Sequence, residues 1–167
     1  MAPEITTERL LFRDWRESDV DPFLAFYRDP QSAAVYDSAD AKRSDVWRRV
    51  GLIIGHWQLR GFGVWALEDK QSRRFAGYSG LWYPDDWDDI EIGWGIAPEF
   101  RGQGYAAEAA ARVRHYGYRE RSLKRLVSYI EPQNKASLRV AEKLGAVPDG
   151  EFRLKDKIHT VYLHTQH

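Results

Sequence analysis

Apolar and polar positions alternate through residues 90–96: Ile90, Ile92, Trp94 and Ile96 are separated by Glu91, Gly93 and Gly95. A period of two predicts a strand. Pro98 ends it. Ala106, Ala109, Ala110, Val113 and Tyr116 then recur at steps of three and four, the apolar face of a helix. Upstream, residues 7–15 read as a first strand, with Leu10 and Phe12 on one side and Arg9, Leu11 and Arg13 on the other. Ser18 is a capping candidate with Asp21 three residues on, and Val20, Phe23, Leu24 and Tyr27 form the buried face of the helix it opens. Asp29-Pro30 ends that helix. Residues 31–43 show no period and read as a loop. Ser44 caps a second helix with Val46, Trp47, Val50, Ile53, Ile54 and Trp57 on one face. Gly51 and Gly55 weaken it by about 1 kcal/mol each relative to alanine.

Strands over residues 62–68, 75–83 and 90–96 form a meander, and residues 125–130 make another strand after the central helix. Asn134 leads into a helix with Leu138, Ala141 and Leu144 inward and Gly145 at C′. Strands over residues 146–152 and 157–164, with Lys155-Asp156 between them, close the chain. The order β-α-α-β-β-β-α-β-α-β-β predicts an α+β fold: a mixed, mostly antiparallel central sheet flanked by about four helices, in a single domain over residues 1–167.

With 167 residues the chain is long enough for one domain with a proper core. Lys+Arg and Asp+Glu both number 25, so no global charge draws the protein to nucleic acid or to an anionic membrane. No apolar run approaches the roughly 20 residues of a membrane span. Met1-Ala2-Pro3-Glu4 lacks the regions of a signal peptide, so a cytoplasmic location is expected. The absence of cysteine excludes disulfides, thiolate metal sites and cysteine nucleophiles. The histidines show no metal-ligand spacing, and His164 and His167 are expected in solvent. The many Trp and Tyr residues read mainly as an aromatic core.

The chemistry concentrates in the turn Arg101-Gly102-Gln103-Gly104-Tyr105-Ala106. Glycines at 102 and 104 permit positive φ and close approach to a ligand. The helix that follows offers free amides and the positive end of its dipole, which suits a phosphate or pyrophosphate. Residues 102–107 also spell the dinucleotide fingerprint G-x-G-x-x-A. That fingerprint belongs to the first strand of a βαβ unit, with an acid about 20 residues later. Here the turn follows consecutive strands and Glu120 falls at a helix end. A nicotinamide-binding oxidoreductase is therefore a minor alternative.

Arg101-x-x-Gly104-x-Ala106 resembles the acyl-CoA pyrophosphate loop of the GCN5-related N-acetyltransferase (GNAT) superfamily, Q/R-x-x-G-x-G/A. Three motifs in order carry the resemblance over almost the whole chain. Thr7-Glu8-Arg9-Leu10-Leu11-Phe12-Arg13 resembles the T-E-R-L-x-L-R opening of the RimJ/RimL-like branch. Ile92-Gly93-Trp94-Gly95-Ile96, with residues 101–109, resembles its central motif. Residues 134–146 resemble its N-x-x-S-x-x-x-x-E-K-x-G-F/A element.

The resemblance implies transfer of an acetyl group from acetyl-CoA to a primary amine, a protein N-terminus or a small-molecule amine, by direct attack in a ternary complex. It also leaves room for an acyl-CoA-binding module without turnover. By analogy the strands over 90–96 and 125–130 splay, and main chain around Trp94, Ile96 and Ala97 binds pantetheine. An amide near Trp94 then faces the thioester oxygen. The amides of Arg101, Gly102, Gln103, Gly104, Tyr105 and Ala106 hold the pyrophosphate. Arg101 either adds charge or is a solvated turn residue. Asn134 and Ser137 contact CoA, with Ser137 near the leaving sulfur, or serve as N-cap and N3 of their helix. The tyrosine acid of many members is replaced by Ala141, so the thiolate, conjugate to a thiol near pKa 8.5, leaves unassisted.

An amine of pKa about 10 is only about 0.1% free base at pH 7, a cost of about 4 kcal/mol. Glu91 is the candidate general base, acting through water; its alternative is a surface carboxylate paired with an arginine. Asp85, Asp86, Asp88 and Asp89 either attract a cationic acceptor or form a solvated loop. Arg112, Arg114, Arg119, Arg121, Lys124 and Arg125 meet the 3′-phosphate or are solvated, with Glu108 and Arg112 at helix ion-pair spacing. A homodimer is an expectation by analogy, and no metal is expected.

Overall fold

The computed structural model describes residues 1–154 and 156–166. Lys155, expected in the last turn, and His167, expected in solvent, lie outside the described residues. The elements are β1 (Ile5–Thr6), β2 (Leu10–Arg13), α1 (Val20–Arg28), α2 (Pro30–Tyr36), α3 (Arg43–Arg60), β3 (Val64–Asp69), β4 (Phe75–Trp82), β5 (Glu91–Ile96), α4 (Tyr105–His115), β6 (Val127–Ile130), α5 (Lys135–Lys143), β7 (Val147–Leu154) and β8 (Lys157–Leu163). They form one sheet in the order β1-β2-β3-β4-β5-β6-β8-β7. Every neighbouring pair is antiparallel except β5–β6. The α+β architecture is the expected one.

Four local expectations are corrected. The strand expected over residues 7–15 shrinks to Leu10–Arg13, with the separate β1 ahead of it, because the chain turns where the Thr7 amide bonds the Leu10 carbonyl. Ser18 does not cap α1; the Asp19 carboxylate accepts the Arg16 amide at 2.8 Å and grips the Arg13 guanidinium at 2.8 and 2.9 Å. Residues 31–43 contain the helix α2, with Pro30 in its first turn and the Asp29 carboxylate accepting the Ser32 amide. Only Ser32 of this helix is buried, so no apolar period marks it. Finally, α3 begins after Lys42, whose amide donates to the Asp45 carboxylate, and not at a Ser44 cap. Its Trp47 and Ile54 are 54% and 51% exposed, while Val46, Val50, Ile53 and Trp57 pack inward.

The two faces of the sheet carry different helices. Tyr78 of β4 meets Phe23 and Phe26 of α1 at ring distances of 5.6 and 5.7 Å. Trp65 of β3 pairs with Ser79, the next residue along β4, so it lies on the opposite face. There it meets Tyr116 after α4 at 4.9 Å. Ala109, Ala110 and Val113 of α4 are fully buried, and their small size lets the helix sit close to β4 and β5.

Candidate active site

The one parallel pair in the sheet is also the shortest. β5 and β6 register only at Glu91–Val127. The Val127 amide bonds the Ile90 carbonyl at 3.0 Å, and Ser128 Oγ donates to the Ile92 carbonyl at 2.7 Å. Beyond Ile92 the two strands part into a fork. Backbone groups alternate sides along a strand. Gly93 O accepts from Ser79 Oγ, and the Ala97 amide donates to Ala76 O, both toward β4. Trp94 and Ile96 therefore turn their main chain into the fork. The Ile96 carbonyl is taken by Arg101 Nε at 3.0 Å. What β5 offers a ligand is the Trp94 amide and carbonyl and the Ile96 amide. The Ala97 amide is already engaged.

The fork leads to the glycine turn. Gly102 and Gly104 have φ of 74° and 84°, the left-handed values anticipated for them. The Glu108 amide bonds the Gly104 carbonyl at 3.1 Å, so the amides of Tyr105, Ala106 and Ala107 precede the i−4 ladder of α4. The turn is buttressed from the N-terminus of the chain. Arg9 Nη1 donates to Gln103 O at 2.8 Å and Arg9 Nε to Glu108 at 2.7 Å. Thr7 Oγ1 donates to the same carboxylate at 2.5 Å. The Arg9 guanidinium also lies 4.2 Å from the Tyr105 ring centroid, whose hydroxyl donates to Asp69. Glu108 is thus paired with Arg9 and not with Arg112, which pairs with Glu120 at 2.7 Å.

Arg101 is neither solvated nor a free cation. Its guanidinium reaches Asp29 at 2.5 Å and Ser32 Oγ at 2.7 Å, clasping the start of α2 to the end of β5. Partial burial raises the Asp29 pKa, but Arg101 and the Ser32 amide more than offset this and leave it below the ordinary carboxylate value. Across the fork, Asn134 Oδ1 accepts the Ser137 amide at 3.1 Å and caps α5. Trp94, Ile96, Arg101, Gly102, Gly104, Tyr105, Ala106, Asn134 and Ser137 line a single cavity of about 480 Å³. Ala97, Gln103 and Glu91 are not in its wall. Val140 lines it from α5 while Ala141 is fully buried, so no phenol projects from this part of α5.

Glu91 lies on the other face of β5, with Gly93 and Gly95. It is half-buried and accepts from Trp87 Nε1 at 3.2 Å. Burial pushes its carboxyl up to about 7, with Trp87 and the charge of Arg49 pulling the other way. Among the described residues it forms no ion pair, so the paired surface carboxylate is not what is found. It stands three positions from Trp94, roughly 10 Å along the strand. Tyr36 and Tyr78, whose hydroxyls meet at 2.5 Å, stand beside Gly95. Two of the four loop aspartates are neutralised, Asp85 by Arg60 and Asp89 by Arg125.

Residues 9–147 match the profile of the family described as "Acetyltransferase (GNAT) domain". The chain belongs to that family. It is 32% identical over 165 residues to the uncharacterized protein YkkB of Bacillus subtilis, covering 95% of this chain and 94% of YkkB. An acetyltransferase from Agrobacterium tumefaciens has the same fold with TM-score 0.89 and 28% identity, covering 99% of this chain and 95% of that one. RimL, a ribosomal L7/L12 α-N-protein acetyltransferase solved with coenzyme A, shares the fold at TM-score 0.77 and 18% identity, covering 97% and 96%. The glycine turn follows an antiparallel meander and the sheet of the described residues is not doubly wound, which rules against the oxidoreductase alternative.

One further pair holds the GNAT fork, and its sequence gave no sign of it. His164, expected in solvent, is 1% exposed. Its amide bonds the Leu126 carbonyl, and its ring sits edge-on to Trp94 at 6.4 Å. Ser128 Oγ, 2.8 Å from His164 Nε2, spends its only hydrogen on Ile92 O. His164 Nε2 must therefore carry the proton and donate, which leaves Nδ1 as a buried acceptor without a partner. Burial drives the imidazole pKa down to about 4, with the charge of Arg114 adding to the effect. A neutral Ser128–His164 pair thus ties β6 and β8 to β5 at the apex of the fork.

Proposed function

We propose that this protein transfers an acetyl group from acetyl-CoA to a primary amine by direct attack in a ternary complex. The observation that carries the reading is the continuity of the fork and the left-handed glycine turn in one cavity. Pantetheine lies along β5 on the free groups of Trp94 and Ile96. The pyrophosphate lies on the amides of Gly102, Gln103, Gly104, Tyr105 and Ala106. Arg101 holds the turn's approach and is not a phosphate ligand in its present bonding. Asn134 and Ser137 border the CoA path.

The amine nitrogen attacks the thioester carbon, and the Trp94 amide takes the negative charge that develops on the carbonyl oxygen. A proton leaves the ammonium through water to Glu91, whose elevated pKa suits a base working near neutrality. The new C–N bond forms, the nitrogen gives up its second proton to water, the C–S bond breaks, and the CoA thiolate departs and takes up a proton from solvent, with Ser137 Oγ donating a hydrogen bond to the sulfur.

Thiol release on adding acetyl-CoA and a panel of primary amines tests this directly. The chain has no cysteine, so every thiol detected belongs to CoA. Amine-dependent release is the expected result. Binding of acetyl-CoA with no release by any amine would replace the transferase with a silent acyl-CoA-binding module.

A further inference from the structure

We propose that the acceptor is a primary amine that also carries a carboxylate, and that Arg49 of α3 receives the carboxylate. The proposal rests on the acetyl-transfer reading and names the substrate class of its acceptor side.

The Arg49 guanidinium lies 4.8 Å from the centroid of the Trp82 ring. Trp82 stands opposite Glu91 in the β4–β5 ladder, so Arg49 and Glu91 flank one indole. That indole is a fixed platform, since it is buried and stacked at 4.5 Å on His56. His56 is itself held by the Phe62 carbonyl and the Tyr83 amide. Arg49 differs from the other arginines of α3. Arg43 is paired with Glu17 and Asp21, Arg48 with Asp45 and Arg60 with Asp85. Arg49 has no carboxylate partner among the described residues. Lying over the Trp82 ring, it is within hydrogen-bonding reach of the Tyr27 hydroxyl, and its charge is felt by Glu91, Tyr36 and Tyr78 on the same side.

The floor of this face has room. A side chain at Gly93 would meet nothing within 4 Å. Tyr36 and Gly95, which line the acyl-donor cavity, adjoin this face, since Tyr36 bonds the hydroxyl of Tyr78 and the Tyr78 ring lies against Gly95. An acceptor entering here meets a carboxylate, π faces and a guanidinium that has no carboxylate partner among the described residues. A bare amine satisfies the first two and is repelled by the third. A guanidinium fork matches a carboxylate bidentately, so a zwitterion satisfies all three. A peptide N-terminus brings an amide carbonyl where the carboxylate would sit and leaves Arg49 unmatched.

The test is thiol-release kinetics at saturating acetyl-CoA on matched sets: α-, β- and ω-amino acids, their carboxamides and their decarboxylated amines. The wild type, Arg49→Gln and Arg49→Lys are compared. The expected result is a preference of about tenfold or more in kcat/KM for the carboxylate member of at least one set. Arg49→Gln should erase it by raising KM for that member well beyond any change on its carboxamide, with acetyl-CoA binding unchanged. Arg49→Lys should restore part of it. Equal rates on carboxylate and carboxamide by the wild type would overturn the proposal, as would an equal loss on both in Arg49→Gln. Acetyl-CoA binding with no thiol release from any set marks failure of the transfer reading itself, and the proposal falls with it.

Discussion

Replacing Glu91 by glutamine removes the proposed base and keeps the oxygen that accepts from Trp87 Nε1 at 3.2 Å. The consequence depends on pH in a way that separates a base from a binding group. With Glu91 ionising at about 7, wild-type kcat/KM should climb about tenfold per pH unit below neutrality. It should then level off, because the enzyme now removes the ammonium proton. In Glu91→Gln the amine must lose that proton to bulk water, so kcat/KM should keep climbing about tenfold per unit toward the amine's own pKa of about 10. A base of this kind contributes typically about 10²–10⁴-fold. From pH 7 to pH 9 the deficit of the variant should therefore shrink about hundredfold. Thiol release at saturating acetyl-CoA from pH 5.5 to 9.5 reads both curves. A variant profile parallel to the wild type, at any height, would remove Glu91 as the base. Folding offers an internal control. The folded-state pKa lies above the ordinary value of 4.5, so wild-type stability falls as pH rises from about 4.5 to about 7. Glu91→Gln lacks that component and should be no less stable at pH 8.

Three other predictions follow from particular contacts. Gly104→Val places a β-branched residue at φ 84°, a strain of about 1–2 kcal/mol that should open the turn and weaken acetyl-CoA binding by at least about tenfold; unchanged affinity by calorimetry would exclude the turn as the phosphate site. His164→Gln should flatten the pH dependence of stability, because a folded-state pKa near 4 gives stability that is present above about 6.5 and lost as pH falls toward 4; urea midpoints between pH 4.5 and 7 read this. Arg13→Met leaves the buried Asp19 carboxylate without its guanidinium and Glu68 with only the exposed Arg73 and Arg16, and should cost about 3–5 kcal/mol in urea unfolding; a loss under about 1 kcal/mol would contradict the buried pairing.

Much of the site was legible because its signals are local. The alternation over residues 90–96 follows from a strand with two distinct faces, and positive φ at 102 and 104 is the reason glycine stands there. The Asn134 cap is a three-residue contact. What escaped depends on distant partners. Glu108 sits four residues from Arg112 but bonds Thr7 and Arg9, about a hundred positions away. His164 looks like tail until β8 is seen to run beside β6. Arg49 carries no mark in a helix rich in arginine, and only the register of Trp82 with Glu91 brings it to the acceptor face. α2 was missed because a short helix with one buried residue has no period to read. Trp47 and Ile54 misled for the opposite reason, being apolar and exposed.

The most direct measurement is calorimetric titration of the protein with acetyl-CoA, with NADPH as the control. One-to-one saturable binding of acetyl-CoA and none of NADPH is the predicted result. A folded protein that fails to bind acetyl-CoA would contradict the assignment of the fork and the glycine turn as its site.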